Sequence, residues 1–168
     1  LRKTVRGMVE LLQPRAQAKG IALAMDIAEE LPDALVGDPT RFAQILINLV
    51  GNAIKFTSEG GVRILVEPLP TAGDHLVVRA RVRDTGIGIP RDFVDHVFEP
   101  FRQARSQRLR PHAGTGLGLS ICRRLAQAMD GALELARLRD GCVRCGDGLD
   151  RSFEVTEPLV GDQCGDIG

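Results

Sequence analysis

Apolar residues Val5, Met8, Val9, Leu11 and Leu12 recur at close to helical spacing over residues 2–18, and Gly20 stands where such a helix would stop. Residues 21–28 alternate instead, with Ile21, Leu23 and Met25 on one face, which predicts a strand; 31–36 reads as a loop or short strand. Asp38-Pro39 is a helix start, Asp as N-cap and Pro at the first helical position, and the helix is expected over 40–56. Residues 61–69 and 75–84 form two strands joined by 70–74, an antiparallel pair. A short helix is expected at 90–97 and a longer one at 115–129. Segments 132–138 and 151–157 are candidate final strands. Residues 99–113 show no sustained apolar period and read as a mobile loop carrying Arg102, Arg105, Arg108 and Arg110; 139–150 is rich in Gly and Asp and reads as irregular. Helices mixed with antiparallel strands, without strict βαβ alternation, point to an α+β sandwich with a mixed, mostly antiparallel sheet.

Composition narrows the field without choosing within it. At 168 residues, 43% hydrophobic and 26% charged, the chain suits one globular domain that needs no disulfide scaffold. Lys+Arg and Asp+Glu balance at 22 each, so there is no global electrostatic case for nucleic acid or a polyanionic membrane. No apolar run approaches the ~20 residues of a membrane span, and the N-terminus is not a signal peptide. The chain starts at Leu1 and reads as a piece of something longer. Of the four cysteines, Cys142 and Cys145 form a CxxC, but no second pair or nearby His completes a metal site, and they are read as incidental thiols.

Three segments carry candidate chemistry. In helix 40–56, Phe42, Ile45, Leu46, Leu49, Ala53 and Phe56 form an apolar stripe, while Asn48, Asn52 and Lys55 share another face at i, i+4, i+7. Two amides and an ammonium there suit a divalent cation and phosphate oxygens; the plain alternative is a solvated polar face, although two Asn inside a strong helix carry a local cost. In strand 75–84, Val78, Ala80 and Val82 share parity with Asp84, so a carboxylate closes an apolar row. Burying it requires a donor, and the exocyclic amino group of a purine is one. Gly86 and Gly88 then allow close approach of a flat ring; an Asp-initiated turn is the alternative. Finally, Gly114-Thr115-Gly116-Leu117-Gly118 runs straight into a helix, a phosphate-binding nest or simply a flexible loop.

In combination and in this order, these segments resemble the catalytic and ATP-binding domain of two-component sensor histidine kinases, of the superfamily shared with gyrase, Hsp90 and MutL. NLVGNAIKFT at 48–57 is similar to the family's N box and DTGIGIP at 84–90 to its G1 box. VFEPF at 97–101 is similar to its F box, GTGLGLSI at 114–121 to its G2 box, and the approach GDPTRFAQIL at 37–46 is typical as well. The resemblance covers roughly residues 1–136 and is closest to the hybrid-type subgroup.

The resemblance implies the Bergerat ATP-binding fold: helices cover one face of the sheet, and ATP lies between the helices and a lid at 99–113. Asn52 would hold Mg²⁺, with Asn48 contributing to it or to the phosphates. Lys55 would contact phosphate or ribose, so Asn48 and Lys55 are the candidate catalytic groups. Asp84 would accept from the adenine amino group, with Gly86 and Gly88 shaping that pocket. Gly114, Thr115, Gly116, Leu117 and Gly118 would line the phosphate side, and Phe98 and Phe101 would anchor the lid or a partner interface. Gyrase-like members carry a water-activating Glu where this chain has Asn48, and an amide cannot act as a general base near neutral pH. The nucleophile should therefore be a histidine on separate dimerisation helices. Of the three histidines, His75, His96 and His112, none sits in a family-like acceptor motif, so no autophosphorylation at the usual site is expected.

The implied partners are ATP, the phosphoacceptor dimerisation domain and, indirectly, a response regulator or receiver domain. The isolated unit is expected to be a monomer and a cytoplasmic portion of a sensor kinase. The expected domain is 1–160, followed by a disordered tail at 161–168. The tail departs from the family: Asp130-Gly131 replaces Gly-Gly, and Ser152-Phe153 comes several residues late, so 139–150 would be an insertion or a divergent hairpin. Competing readings are a serine kinase of the anti-sigma type and a non-catalytic module that binds nucleotide or a partner.

Overall fold

The computed structural model describes residues 1–32, 34–70, 75–103, 115–136 and 148–161. Helix α1, Arg2–Ala18, buries Val5, Met8, Leu12 and Ala16. It ends through the turn at Lys19 and Gly20, where φ is +69°. Strand β1 is Ala22–Ile27, its odd-numbered residues the more covered, as the alternation predicts. A two-residue strand β2, Leu35–Val36, precedes α2, Pro39–Phe56. The Asp38 carboxylate caps α2 by accepting from the N–H groups of Thr40 at 3.1 Å and Arg41 at 2.9 Å, with Pro39 in the first turn. Strands β3, Gly61–Leu69, and β4, His75–Pro90, follow, then a 3₁₀ turn at Arg91–His96. Helix α3, Gly118–Gln127, and strands β5, Ala132–Ala136, and β6, Gly148–Gly161, complete the order.

The sheet has six strands in the order β1-β3-β4-β6-β2, with β5 also paired to β6. β1 and β3 run parallel, as the α2 crossover between them requires; the other pairs are antiparallel. Helix α2 packs over β3 and β4, flanked by α1 on the β1 side and α3 on the β5–β6 side. The core lies between: Phe42, Ile45, Leu46, Leu49 and Val50 of α2 meet Val62, Ile64 and Val66 of β3 and Val78, Ala80 and Val82 of β4. The opposite face of the sheet is polar, with Glu67 taking Arg79 Nε at 2.8 Å and Arg81 at 3.5 Å. This one-sided covering is what an antiparallel α+β sheet allows.

Several expectations need correction. β4 does not end at Asp84 but continues to Pro90. Its pairing with β6 shifts between Asp84↔Arg151 and Ile89↔Leu149, so the four residues 85–88 face a single residue of β6 and swell out of the ladder. The segment at 90–97 is a 3₁₀ turn, not an α-helix, and α3 begins at Gly118, not 115. The final strand is longer than 151–157 and takes in 148–150, which the sequence left irregular. Phe56, placed on the apolar stripe, is only half-buried, whereas Val50 and Ile54 belong to the core. The bulk of the expected lid (104–113), Gly114, His112, the Cys142/Cys145 pair and the tail 162–168 lie outside the described residues.

Candidate functional site

The three motif segments converge on the C-terminal half of α2. Asn48 and Asn52 stand one turn apart and form a chain: Asn52 Nδ2 donates to Asn48 Oδ1 at 3.1 Å, and Asn48 Nδ2 donates to the Gly118 carbonyl at 3.2 Å. Asn48 thereby ties α2 to the first turn of α3 across 70 residues of sequence. Its amide is engaged at both ends. Asn52 uses its donor on Asn48, and its Oδ1 has no hydrogen bond among the described residues. That neutral oxygen fits a hard divalent cation that keeps most of its waters and takes its remaining ligands from phosphates. No cluster of three or more His, Cys, Asp or Glu suited to a metal occurs among the described residues. Lys55 lies one turn further on, its ammonium 5.2 Å from the centre of the Phe56 ring.

Asp84 is buried, at 3% exposure, where the parity of β4 places it. Its Oδ1 accepts from Gly86 N at 2.8 Å and from Thr57 Oγ1 at 3.5 Å. Gly86 is confined. A Cβ there would stand 2.5 Å from the Phe56 carbonyl oxygen and 2.6 Å from Asp84 Oδ1, so only glycine lets the swollen segment lie against the end of α2. Gly88, in the same excursion, has φ of +73°. The neighbouring Thr85 stitches the segment to the turn before β3, accepting from Gly61 N at 3.0 Å and donating to the Glu59 carbonyl at 2.8 Å.

On the far side, Phe101 N donates to the Gly116 carbonyl at 3.0 Å. Gly116 has φ of +70°, and a Cβ on it would press within 3.0 Å of the Phe101 and Arg102 main chain. Thr115 Oγ1 accepts weakly from Leu117 N at 3.4 Å. Leu117, the N-cap of α3, supplies no side-chain acceptor, so the first N–H groups of the helix remain available to an anion at its positive end. Phe98 packs half-buried beneath Arg123 of α3, whose guanidinium carbon lies 5.2 Å from the ring centre, while Phe101 is 75% exposed. Glu99 between them sits 2.7 Å from His96 Nδ1 and accepts from Arg102 Nε at 2.8 Å. The hydrogen bond from His96, then the charge of Arg102, holds its carboxyl below the ordinary value.

Asn48, Asn52, Lys55, Asp84, Gly86 and Gly118 are thus gathered along the C-terminal half of α2, with Gly116 just ahead of Gly118 and against Phe101 and Arg102. Sequence reasoning missed Thr57, fully buried against Asp84, although it follows directly on Lys55-Phe56. Thr85 and Arg123 were also passed over, since neither a threonine in a strand nor an arginine on a helix is distinctive on its own.

Comparison with known proteins bears on the family and the fold. The family described as histidine kinase-, DNA gyrase B-, and HSP90-like ATPase matches residues 37–159. The signal transduction histidine-protein kinase BarA of Escherichia coli K12 is 44% identical over 131 residues, 78% of this chain and 14% of its own length. The sensory/regulatory protein RpfC of Xanthomonas campestris pv. campestris is 40% identical over 134 residues, 79% of this chain and 18% of its own. The chain therefore spans less than a fifth of these curated relatives. Among solved structures, full-length ShkA in complex with AMPPNP superposes with a TM-score of 0.73 at 35% identity, over 95% of this chain and 30% of that one. The nucleotide-free catalytic domain of histidine kinase ThkA gives 0.67 at 27%, over 94% and 93%. With the motif segments assembled at one end of α2 and this breadth of match, the chain belongs to the histidine kinase-, DNA gyrase B- and HSP90-like ATPase family, on its sensor histidine kinase branch.

Proposed function

We propose that this chain binds ATP with Mg²⁺ and presents the γ-phosphoryl group to a histidine on a separate dimerisation domain, as the catalytic part of a two-component kinase. The observation that carries the reading is the convergence of residues 48–55, 84–88 and 116–118 on one end of α2. Asp84 accepts from the adenine amino group, and Gly86 and Gly88 let the ring lie against the swollen strand. Asn52 Oδ1 would hold Mg²⁺, with Asn48 fixing Asn52 from behind and adding to the phosphate side. The ion would supply neutralisation of phosphate charge. Lys55 contacts phosphate or ribose. The open N–H groups at the start of α3, with Gly114, Thr115, Gly116 and Leu117 ahead of them, cradle the phosphates. Phe98, held under Arg123, anchors the segment that leads to the lid.

Asn48 stands where gyrase-like members carry a water-activating Glu, and an amide cannot take that role. Asn48 has no basic lone pair, and its amide is already engaged, so hydrolysis is suppressed and transfer rests on orientation and charge neutralisation. The nucleotide unit is assigned to residues 1–160. A cytoplasmic site of action follows from the same reading; among the described residues, no helix is long and apolar enough to cross a membrane. The AMPPNP in the ShkA complex supports nucleotide binding by a domain of this shape.

The test uses labelled ATP. This chain alone should acquire no acid-labile phosphate, and a dimerisation domain bearing its histidine should become labelled when the chain is added. Binding without transfer to any such domain would favour a non-catalytic nucleotide-binding module. Labelling of His75, His96 or His112 would overturn the assignment of the acceptor.

A further inference from the structure

The end of α2 that forms the wall of the site is gripped from α1. Lys19, the residue after α1, directs its ammonium at three main-chain carbonyls: Ile54 and Lys55, each at 2.8 Å, and Thr57 at 3.1 Å. An ammonium has three N–H donors, and these three acceptors match them. The Ile54 and Lys55 carbonyls are among the last four of α2, which lack partners within the helix and carry the negative end of its dipole, so a cation is favoured there. Lys19 is itself located by the turn that closes α1, its N–H bonded to the Ala16 carbonyl.

The carbonyl of Phe56 is the wall against which Gly86 lies, and the next residue, Thr57, is 0% exposed with its hydroxyl on Asp84 Oδ1. We infer that Lys19 and Thr57 are positioning residues for recognition of the nucleobase: Lys19 fixes the end of α2, and Thr57 together with Gly86 N fixes the rotamer of Asp84. Neither would touch the nucleotide. Thr57 meets Asp84 at 3.5 Å, too long to add much stability. It acts by geometry. Donors from two separate segments, α2's end and β4's bulge, meet on one carboxylate oxygen and together favour a single orientation of it. The inference rests on the reading of Asp84 as the acceptor of the adenine amino group.

The experiment is a ratio. Calorimetric dissociation constants are measured for ADP and for purine riboside diphosphate, which lacks the amino group, on the wild-type chain and on Asp84→Asn, Thr57→Val, Thr57→Ser and Lys19→Met. The wild-type preference for ADP should fall about 3- to 10-fold in Thr57→Val, the net worth of the Asp84 bond to the amino group that a turned carboxylate would forfeit. It should be retained in Thr57→Ser and fall in the same direction in Lys19→Met. A purely structural role would weaken both nucleotides equally and leave the ratio intact. An unchanged ratio in Thr57→Val and Lys19→Met overturns the inference. If Thr57→Val does not fold, the ratio in Lys19→Met decides alone, at a position exposed on the surface. A wild-type chain without preference, or an unaltered preference in Asp84→Asn, would instead sink the reading of Asp84.

Discussion

Replacing Gly86 by Ala is the sharpest structural test of the adenine pocket. The added methyl would meet the Phe56 carbonyl oxygen at 2.5 Å, its carbon at 3.0 Å and Asp84 Oδ1 at 2.6 Å. It must retreat by about 1 Å to reach ordinary van der Waals separation. The obstacle on one side is main chain held by the α2 ladder, and on the other a buried carboxylate that accepts from Gly86's own N–H. Overpacking of this kind costs about 1–3 kcal/mol, and with backbone in the way the upper end is expected. For a domain of this size, about 3 kcal/mol lowers the melting temperature by roughly 6–12 °C. The control is Gly7→Ala on the exposed side of α1, where a Cβ meets nothing within 4 Å. It should stabilise by about 0.5–1 kcal/mol through helix propensity. Two Gly→Ala changes in one chain should thus have opposite signs. The chain has no Trp or Tyr, so unfolding is followed by far-UV circular dichroism in urea. Nucleotide binding is measured by calorimetry well below the melting temperature. Gly86→Ala should lose ADP binding while folded. A urea midpoint equal to the wild type, or full ADP affinity, would refute the packing argument.

Other consequences follow from single contacts. At Gly131 a Cβ would stand 1.9 Å from the Thr156 carbonyl oxygen, so Gly131→Ala should destabilise by about 3 kcal/mol or more, read by the same urea unfolding; a neutral result would contradict the β5–β6 pairing. Burial pushes the Cys122 thiol up to about 12 from 9.0. The unfolded chain therefore loses that proton first, and this contribution to stability is full below about pH 9 and is lost as pH rises towards 12. Cys122 should accordingly resist maleimide in the native chain and react on unfolding, with peptide mass spectrometry locating the adduct. The Glu99 carboxyl is held below its ordinary value of 4.5, so its contacts with His96 and Arg102 persist above that pH and are lost on acidification below it. The His96 ring resonances should report a step below pH 4.5 in the wild type that is absent from Glu99→Gln.

Much of the fold was legible because its signals are local. Asp38-Pro39 fixed the start of α2, Gly20 the end of α1, and the parity of Val78, Ala80 and Val82 placed Asp84 indoors, where it is found. What escaped has non-local causes. A strand normally ends where alternation stops, so β4 was expected to end at Asp84; β6 instead re-engages β4 at Ile89 and makes the run 85–88 an excursion within one long strand. The tail seemed displaced because length alone was available, whereas pairing of β6 with β4, β5 and β2 sets its register. Asp130, where the family usually carries glycine, adopts φ of +57°, which Asp tolerates better than most residues. In the site, the face shared by Asn48, Asn52 and Lys55 followed from helical spacing. The link from Asn48 to Gly118 and the grip of Lys19 on Ile54, Lys55 and Thr57 span 70 and 35 to 38 residues, and no window of sequence contains them.

The central claim is that this end of α2 is a nucleotide site read by Asp84. The most direct measurement is titration calorimetry with ADP and a non-hydrolysable ATP analogue, with and without Mg²⁺, on the wild-type chain and on Asp84→Asn. Saturable binding that strengthens with Mg²⁺ and weakens markedly in Asp84→Asn is the predicted result. A folded wild-type chain that binds neither nucleotide, or an Asp84→Asn variant that binds both as well as the wild type, would contradict it.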